Sequence, residues 1–169
     1  MTYIVDENVP MTANDVNRDP PQTPQADVAC KIACIDKLQE IVAHKIVALD
    51  EAGEILDRYR SKLNSHGMPG VGDAFLKHLS DRQGDLTHVR KFQILKNDAG
   101  DFRDYPNDQA LSTFDPSDRI FVSLACVATD SPKILNAVDS DYRHHAAALA
   151  AVNVVVEEIC PHCLKAQKL

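Results

Sequence analysis

The chain has 169 residues, of which 44% are hydrophobic and 25% are charged, and its formal net charge is −7. That length is typical of one domain with its own hydrophobic core, so we expect a single domain over residues 1–169. No apolar run approaches the ~18 residues that a membrane span needs, so no membrane partner is expected. The negative charge argues against a protein that coats nucleic acid by bulk attraction. The N-terminal segment has no pattern of a secretory signal, and a cytoplasmic location is expected.

The first part of the chain alternates short apolar runs with longer amphipathic stretches. Residues 2–5 predict a buried strand. Residues 7–25 contain four prolines and predict a loop, with a helical turn around Met11 to Asn14. Apolar residues at a 3.6 period predict a helix over 26–43, and the apolar run 46–49 predicts a second buried strand.

The middle of the chain begins with a helix pattern. Residues 50–63 start acidic and end basic, which is the polarity that a helix dipole favours. Residues 64–72 are rich in glycine and proline and predict a loop, followed by a helix over 73–82. Residues 88–95 alternate and predict a strand, whereas 97–114 are polar and show no period.

The last part of the chain continues the alternation. Residues 115–118 have the composition of a helix start, with an acid followed by proline. Strands are predicted at 134–138 and 152–156, with a helix over 142–150 between them. Strands separated by helices predict an α/β fold with a mostly parallel sheet covered on both faces.

Acidic residues stand where several of these apolar runs end. Asp6 follows the first strand, Asp118 lies at the helix start, and Asp139 and Asp141 follow the strand at 134–138. Because the carboxyl ends of parallel strands share one edge of a sheet, we expect these acids to converge. Clustered carboxylates repel one another unless a cation holds them, and an oxygen-only site suits Mg²⁺ or Mn²⁺. The pattern predicts a metal-dependent phosphodiesterase.

Each of these acids also has a structural explanation. Asp6 alone would be a turn residue after a strand. Asp115 and Asp118 would be an N-cap and an acid that stabilises the helix dipole, which is the preferred explanation for Asp115. Asp139 and Asp141 would form a turn that caps the next helix.

Four segments resemble the four motifs of PIN-domain ribonucleases and occur in the family order. They are Val5 to Val9, Ile46 to Leu49 with Glu54 to Tyr59, Phe114 to Ala125, and Asn136 to Tyr142. The resemblance implies a three-layer α/β/α sandwich with a mostly parallel central sheet. It also implies cleavage of RNA, or less often of structured DNA, with Mg²⁺ or Mn²⁺ as the cofactor and a 5′-phosphate and a 3′-hydroxyl as products.

The resemblance assigns roles to five residues of this chain. It implies that Asp6, Asp118 and Asp139 are metal ligands and catalytic residues. Asp141 would be a further ligand or would support one. Asn8 would be the polar neighbour that orients Asp6.

The sequence departs from the family pattern in the helix after the second strand. The family has a glutamate near the middle of that helix, and Arg58 stands at this position. Glu54, one helical turn earlier, and Asp57 are the expected substitutes, although Glu54 is also placed to pair with Arg58. The departure predicts either reduced metal affinity or a chain that binds without cleaving.

Three functions stay open from the sequence. The first is an endoribonuclease that is either free-standing or the toxin of a toxin-antitoxin pair. Its candidate partners are RNA, an antitoxin protein and a second copy of the chain. The second is a PIN-like RNA-binding or scaffold module whose site has decayed at Arg58. The third is another metal-dependent enzyme such as a phosphatase, which the sequence Asp6-Glu7-Asn8 disfavours because an aspartyl phosphatase usually shows Asp-x-Asp there. Substrate-binding residues have no sequence signature.

The chain contains five cysteines. An odd count in a reducing compartment predicts no disulfide framework. Cys30 and Cys34 are predicted to be buried thiols on one helix face. Cys160-Pro-His-Cys163 supplies only two thiolates, whereas a closed zinc site needs four ligands, so a structural or redox role of this pair is the less favoured alternative.

Overall fold

The computed structural model describes residues 1–64 and 68–165. Its strands are β1 (Thr2–Val5), β2 (Ile46–Asp50), β3 (Val89–Phe92), β4 (Lys133–Asn136) and β5 (Val155–Glu158). They form one parallel sheet in the order β3-β2-β1-β4-β5. The flanking helices and the parallel sheet confirm the predicted α/β class.

Helices connect all of these strands. They are α1 (Asn8–Asn14), α2 (Val28–His44), α3 (Glu54–Lys62), α4 (Val71–Asp81), α5 (Arg119–Val127), α6 (Ser140–His144) and α7 (Ala146–Ala151). Helices α1, α2 and α4 pack on one another, and α5 contacts β1, β2 and β4. Among the residues that the structure describes, no helix has both the length and the apolar character required to cross a membrane.

The order of the strands determines where a site can form. The chain builds the sheet outward from β1 through β2 to β3, and then returns to β4 on the other side of β1. In open parallel sheets, the ligand crevice lies beyond the carboxyl ends of the strands at such a reversal. β1 and β4 are in register at Val5 and Leu135, and the amide of Asp6 extends the pairing by donating to the carbonyl of Leu135 at 3.1 Å. Residues that follow β1 and β4 therefore meet.

Several element boundaries differ from the sequence prediction, and the helix predicted over 142–150 is divided into α6 and α7. Two of the differences have a local cause. Residues 8–14 form helix α1 rather than a loop with one turn, because Pro10 lies in the first turn, where its missing N–H breaks no helical hydrogen bond. The last strand starts at Val155 rather than at Val152, because Asn153 adopts a left-handed conformation with φ of 61° and ends the preceding turn.

One covalent link joins distant parts of the chain. Cys30, in the first turn of α2, forms a disulfide with Cys160, which follows β5. The prediction that Cys30 is a free thiol was therefore wrong. Cys34 and Cys163 lie nearby as free thiols, and Cys126 is a free, exposed cysteine.

Candidate metal site at the carboxyl edge of the sheet

Three carboxylates from separate elements meet at the reversal point of the sheet. Asp6 follows β1, Asp118 ends the 3₁₀ turn before α5, and Asp139 caps α6 after β4. One oxygen of each lies within 4.8 Å of the others. Asp6 and Asp118 are buried, and Asp139 is half-buried. The structure thus brings together the three acids that the sequence placed at one edge.

Asp6 is held by two donors inside the protein. The Asn8 amide donates to its Oδ1, and the Tyr142 hydroxyl donates to its Oδ2, both at 2.9 Å. Burial raises the pKa of Asp6 well above its ordinary value, the charges of Glu7 and Asp118 raise it further, and the two hydrogen bonds oppose this rise. Desolvation therefore outweighs hydrogen bonding in its effect on the pKa of Asp6. A nearby cation would stabilise the ionised form of this carboxyl.

Asp118 and Asp139 act as a pair. Burial, followed by the charges of Asp139 and Glu7, raises the pKa of Asp118 to about 7, while Arg58 acts in the opposite direction. One oxygen of Asp118 lies within 4.8 Å of one of Asp139, which is close enough for the two charges to repel. A cation bound beside Asp118 would oppose this rise, because a positive charge favours the ionised carboxylate.

Two asparagines fix the positions of the acids. The Asn8 side chain donates to Oδ1 of Asn136 at 3.0 Å and accepts from the amide of Ala137 at 2.8 Å. Asn136 in turn donates to the carbonyl of Asp139 at 2.7 Å and accepts from its amide at 3.0 Å. Asn8 thus orients Asp6 through its backbone, whereas its side chain joins the ends of β1 and β4. Sequence reasoning did not identify Asn136 as a site residue. The signal that could have found it is a polar residue at the end of an apolar strand.

Arg58 faces the cluster and contacts two of its acids. Its Nη2 lies 3.0 Å from Oδ1 of Asp118, and the guanidinium also donates to Oε1 of Glu7 and to the carbonyl of Ser117. The Phe121 ring lies 5.0 Å below it. The position that departs from the PIN pattern is therefore part of the site.

Glu7 is a second site residue that sequence reasoning missed. Its side chain is only 12% exposed, and its Oε2 is buried without a hydrogen-bond partner among the described residues. The four carboxylates Asp6, Glu7, Asp118 and Asp139 face one guanidinium, that of Arg58. Three negative charges remain when all of them are ionised. A divalent cation would offset most of this excess.

Glu54 and Asp57 lie outside the cluster. Oε1 of Glu54 pairs with Nζ of Lys96 at 2.7 Å. Asp57, with a side chain that is 72% exposed, pairs with Arg60 on its own helix at 2.7 Å. The structure therefore does not place either residue as the substitute ligand that was expected, because both carboxylates pair with cations outside the cluster.

Asp141 contacts the site from two residues after Asp139. Its amide donates to Oδ1 of Asp139 at 2.8 Å. Its own carboxylate accepts from the amide of Asp115 at 2.7 Å and lies 3.1 Å from Nδ1 of His145. Asp141 is not one of the three carboxylates within mutual reach. It matches the predicted supporting role rather than that of a direct ligand.

The cluster opens into a cleft of about 340 Å³. Besides the acids and Asn8, its lining residues are Met11, Gln22, Thr23, Gln25, Lys62, Ser117 and Val138. The lining is thus mainly polar, and Lys62 adds a positive charge at its rim. A polar cleft of this kind suits a charged substrate better than an apolar one.

Comparisons of the chain with protein-family models, with curated proteins and with solved structures found no match in any of the three. The geometry and charge of the acidic cluster are therefore the basis for a functional conclusion.

Proposed function

We propose that the protein is a divalent-metal-dependent endoribonuclease of the PIN-like type, with the acidic cluster as its catalytic centre. The observation that carries this proposal is the convergence of Asp6, Asp118 and Asp139 at the reversal point of a parallel sheet. Helix capping alone does not explain why three carboxylates lie within one coordination sphere, because their burial and mutual repulsion are both unfavourable.

The residues present fit Mg²⁺ or Mn²⁺. All donors of the cluster are oxygens, which these hard cations prefer, and Asp6, Asp118 and Asp139 would hold the ion. The three excess negative charges and the unpartnered Oε2 of Glu7 both favour a cation. Bound there, the ion would supply the positive charge that lowers the pKa of an attacking water and offsets charge on the phosphate.

Groups of the protein orient the carboxylates of that centre and accept a proton there. Tyr142 and the Asn8 amide hold Asp6 in one orientation, so its carboxylate needs no rearrangement on binding. The Asn136 contacts do the same for Asp139. Asp139 is the least buried of the three acids, and its carboxylate is the accessible acceptor for a proton released by the attacking water.

A second candidate is a PIN-like RNA-binding or scaffold module with little or no catalysis. The observation in its favour is Arg58, whose guanidinium already pairs with Glu7 and Asp118 and competes with a cation for them. An antitoxin partner and a homodimer stay predictions for either candidate.

Cleavage of a panel of single-stranded and structured RNAs tests the proposal. We expect cleavage with Mn²⁺ or Mg²⁺, products that carry 5′-phosphates, and loss of activity with EDTA and in Asp6→Asn. Asp57→Asn is the matched control, because this exposed acid lies outside the cluster. RNA binding without cleavage at any metal concentration would favour the binding module. Full activity in Asp6→Asn would exclude the cluster as the catalytic centre.

A further inference from the structure

Four of the five cysteines come together at the start of α2. Cys30 and Cys34 lie one helical turn apart on this helix, and Cys160 and Cys163 flank the turn after β5. The sulfurs of Cys30, Cys34 and Cys160 lie within 4.8 Å of one another, and all three residues are fully buried. Three cysteines thus form one buried sulfur cluster, although Cys30 and Cys160 are 130 residues apart in the chain.

The fourth cysteine lies beside this group. Cys163 ends the short 3₁₀ turn Pro161–Cys163 that follows Cys160, and it packs against the buried core that contains Cys34. The Cys163 sulfur also lies within 4.8 Å of an Asp27 carboxylate oxygen. Rotation of its half-buried side chain from Asp27 towards Cys34 would complete a set of four sulfurs.

We propose that, in the reduced protein, Cys30, Cys34, Cys160 and Cys163 bind one Zn²⁺ ion as a closed structural site. Such sites take four ligands with zinc–sulfur distances of about 2.3 Å, so their sulfurs lie about 3.8 Å apart in a tetrahedron. The Cys34 sulfur lies within 4.8 Å of the Cys30 and Cys160 sulfurs, and these two are bonded to each other and would move apart after reduction. The proposal is independent of the acidic cluster and of its function.

The start of α2 favours a thiolate at Cys30. Asp27 caps α2 by accepting from the Cys30 amide at 2.7 Å, so Cys30 lies in the first turn of a 17-residue helix, where the dipole stabilises a negative sulfur. His162, between the second pair, lies 3.0 Å from Asp27 through its Nε2. The amide of Cys163 donates to the carbonyl of Cys160 at 2.9 Å. These contacts place the Cys160–Cys163 turn against the helix before any ion binds.

The disulfide between Cys30 and Cys160 and the zinc site exclude each other. A dithiol reductant would transfer two electrons and two protons to the disulfide, which breaks its S–S bond and leaves two thiols, while the reductant becomes a disulfide. Zn²⁺ would then bind the four sulfurs as thiolates and release their protons to solvent. The oxidised form retains one covalent link between the same two segments.

The zinc site would hold the segment that supports the Asp139 loop. Arg143 donates to the carbonyl of Pro161 at 3.0 Å, and the amide of Lys165 donates to Oγ of Ser140 at 2.8 Å. Ser140 follows Asp139 directly. The turn that carries the second cysteine pair is therefore attached to α6.

Metal titration of the full-length chain under a phosphine reductant tests the proposal. We expect one equivalent of Zn²⁺, and with Co²⁺ the intense visible bands and near-ultraviolet charge transfer of tetrahedral sulfur coordination. Cys34→Ser and Cys163→Ser should each weaken zinc binding by more than about 100-fold, since loss of a direct ligand exceeds the effect of losing a supporting group. Cys126→Ser is the matched control, because this exposed cysteine lies outside the cluster. Asp118→Asn should bind zinc like the parent, which separates this site from the acidic cluster.

Three results would overturn the inference. They are the absence of stoichiometric zinc in the reduced parent, unchanged zinc affinity in Cys163→Ser, and a weak octahedral Co²⁺ spectrum typical of oxygen ligands. If Cys34→Ser fails to fold, the Co²⁺ spectrum of the parent and the affinity of Cys163→Ser decide the question, because Cys163 is only half-buried.

Discussion

Replacing Arg58 by glutamine should tighten metal binding. Nη2 of Arg58 lies 3.0 Å from Oδ1 of Asp118, and an ion bound to that oxygen would lie about 2.1 Å beyond it. A guanidinium and a divalent ion about 5 Å apart repel each other by about 1.7 kcal/mol even at the dielectric constant of water. This value is a lower bound, because only 24% of the Arg58 side chain is exposed. Removing the charge should lower the Kd for Mn²⁺ by at least about tenfold.

Isothermal titration calorimetry with Mn²⁺ at pH 7.5 measures this change. Arg60→Gln is the matched control, because Arg60 lies on the same helix but is exposed and pairs with Asp57. Its Kd should equal that of the parent. Arg58→Gln loses charge-assisted hydrogen bonds to Glu7 and Asp118, so the metal-free variant should be less stable. The titrations are therefore carried out at a temperature below the unfolding transition of the variant, which is located by circular dichroism.

The reasoning would be refuted by a folded Arg58→Gln protein that binds Mn²⁺ no more tightly than the parent. Arg58 would then not repel the ion, and the metal would have to bind away from Asp118. Weaker binding in Arg58→Gln would mean that the guanidinium organises Glu7 and Asp118 for the ion rather than competing with it.

Four further outcomes follow from the same geometry. Asp118→Asn should fold with unchanged or higher metal-free stability, since it relieves repulsion, yet lose nearly all metal-dependent cleavage; unfolding would instead identify a structural cap. Burial raises the pKa of Asp118 to about 7, so this carboxyl ionises at a lower pH in the unfolded chain than in the folded one. The metal-free protein should therefore lose stability as the pH rises from about 4 to 7, and its Tm should be higher at pH 5 than at pH 8. Glu54→Gln and Asp57→Asn should leave the calorimetric Kd for Mn²⁺ unchanged, because their partners lie outside the cluster. Tyr142→Phe removes the donor to Asp6 and should weaken Mn²⁺ binding by about tenfold in the same titration.

Much of the fold was predictable because the strands are short, apolar and separated by helices. Each predicted strand corresponds to an observed one within a few residues, and the convergence of Asp6, Asp118 and Asp139 follows from the shared edge of parallel strands. Helix α1 escaped prediction because Pro10 signals a loop unless its position in the first turn is known.

The missed parts of the candidate site depend on side-chain direction and on long-range packing. A single sequence does not show whether Glu54 turns towards Asp118 or towards Lys96, because both directions are open from one helix position. Likewise, nothing in the sequence alone pairs Cys30 with Cys160, since the contact exists only after α2 and the segment behind β5 have packed.

The contact between Glu7 and Arg58 changes the meaning of the departure from the PIN pattern. A glutamate at position 58 would join Asp6, Glu7, Asp118 and Asp139 to give five carboxylates and a charge of −5. With Arg58 in its place and Glu7 beside it, the charge is −3. Glu7 thus balances the guanidinium and leaves the charges of Asp6, Asp118 and Asp139 for a cation. An arginine without this partner would reduce the charge to −2 and pair with the remaining acids alone. The arrangement therefore favours a weakened metal site over a lost one, because the buried carboxylates still require a positive charge that a single guanidinium does not supply.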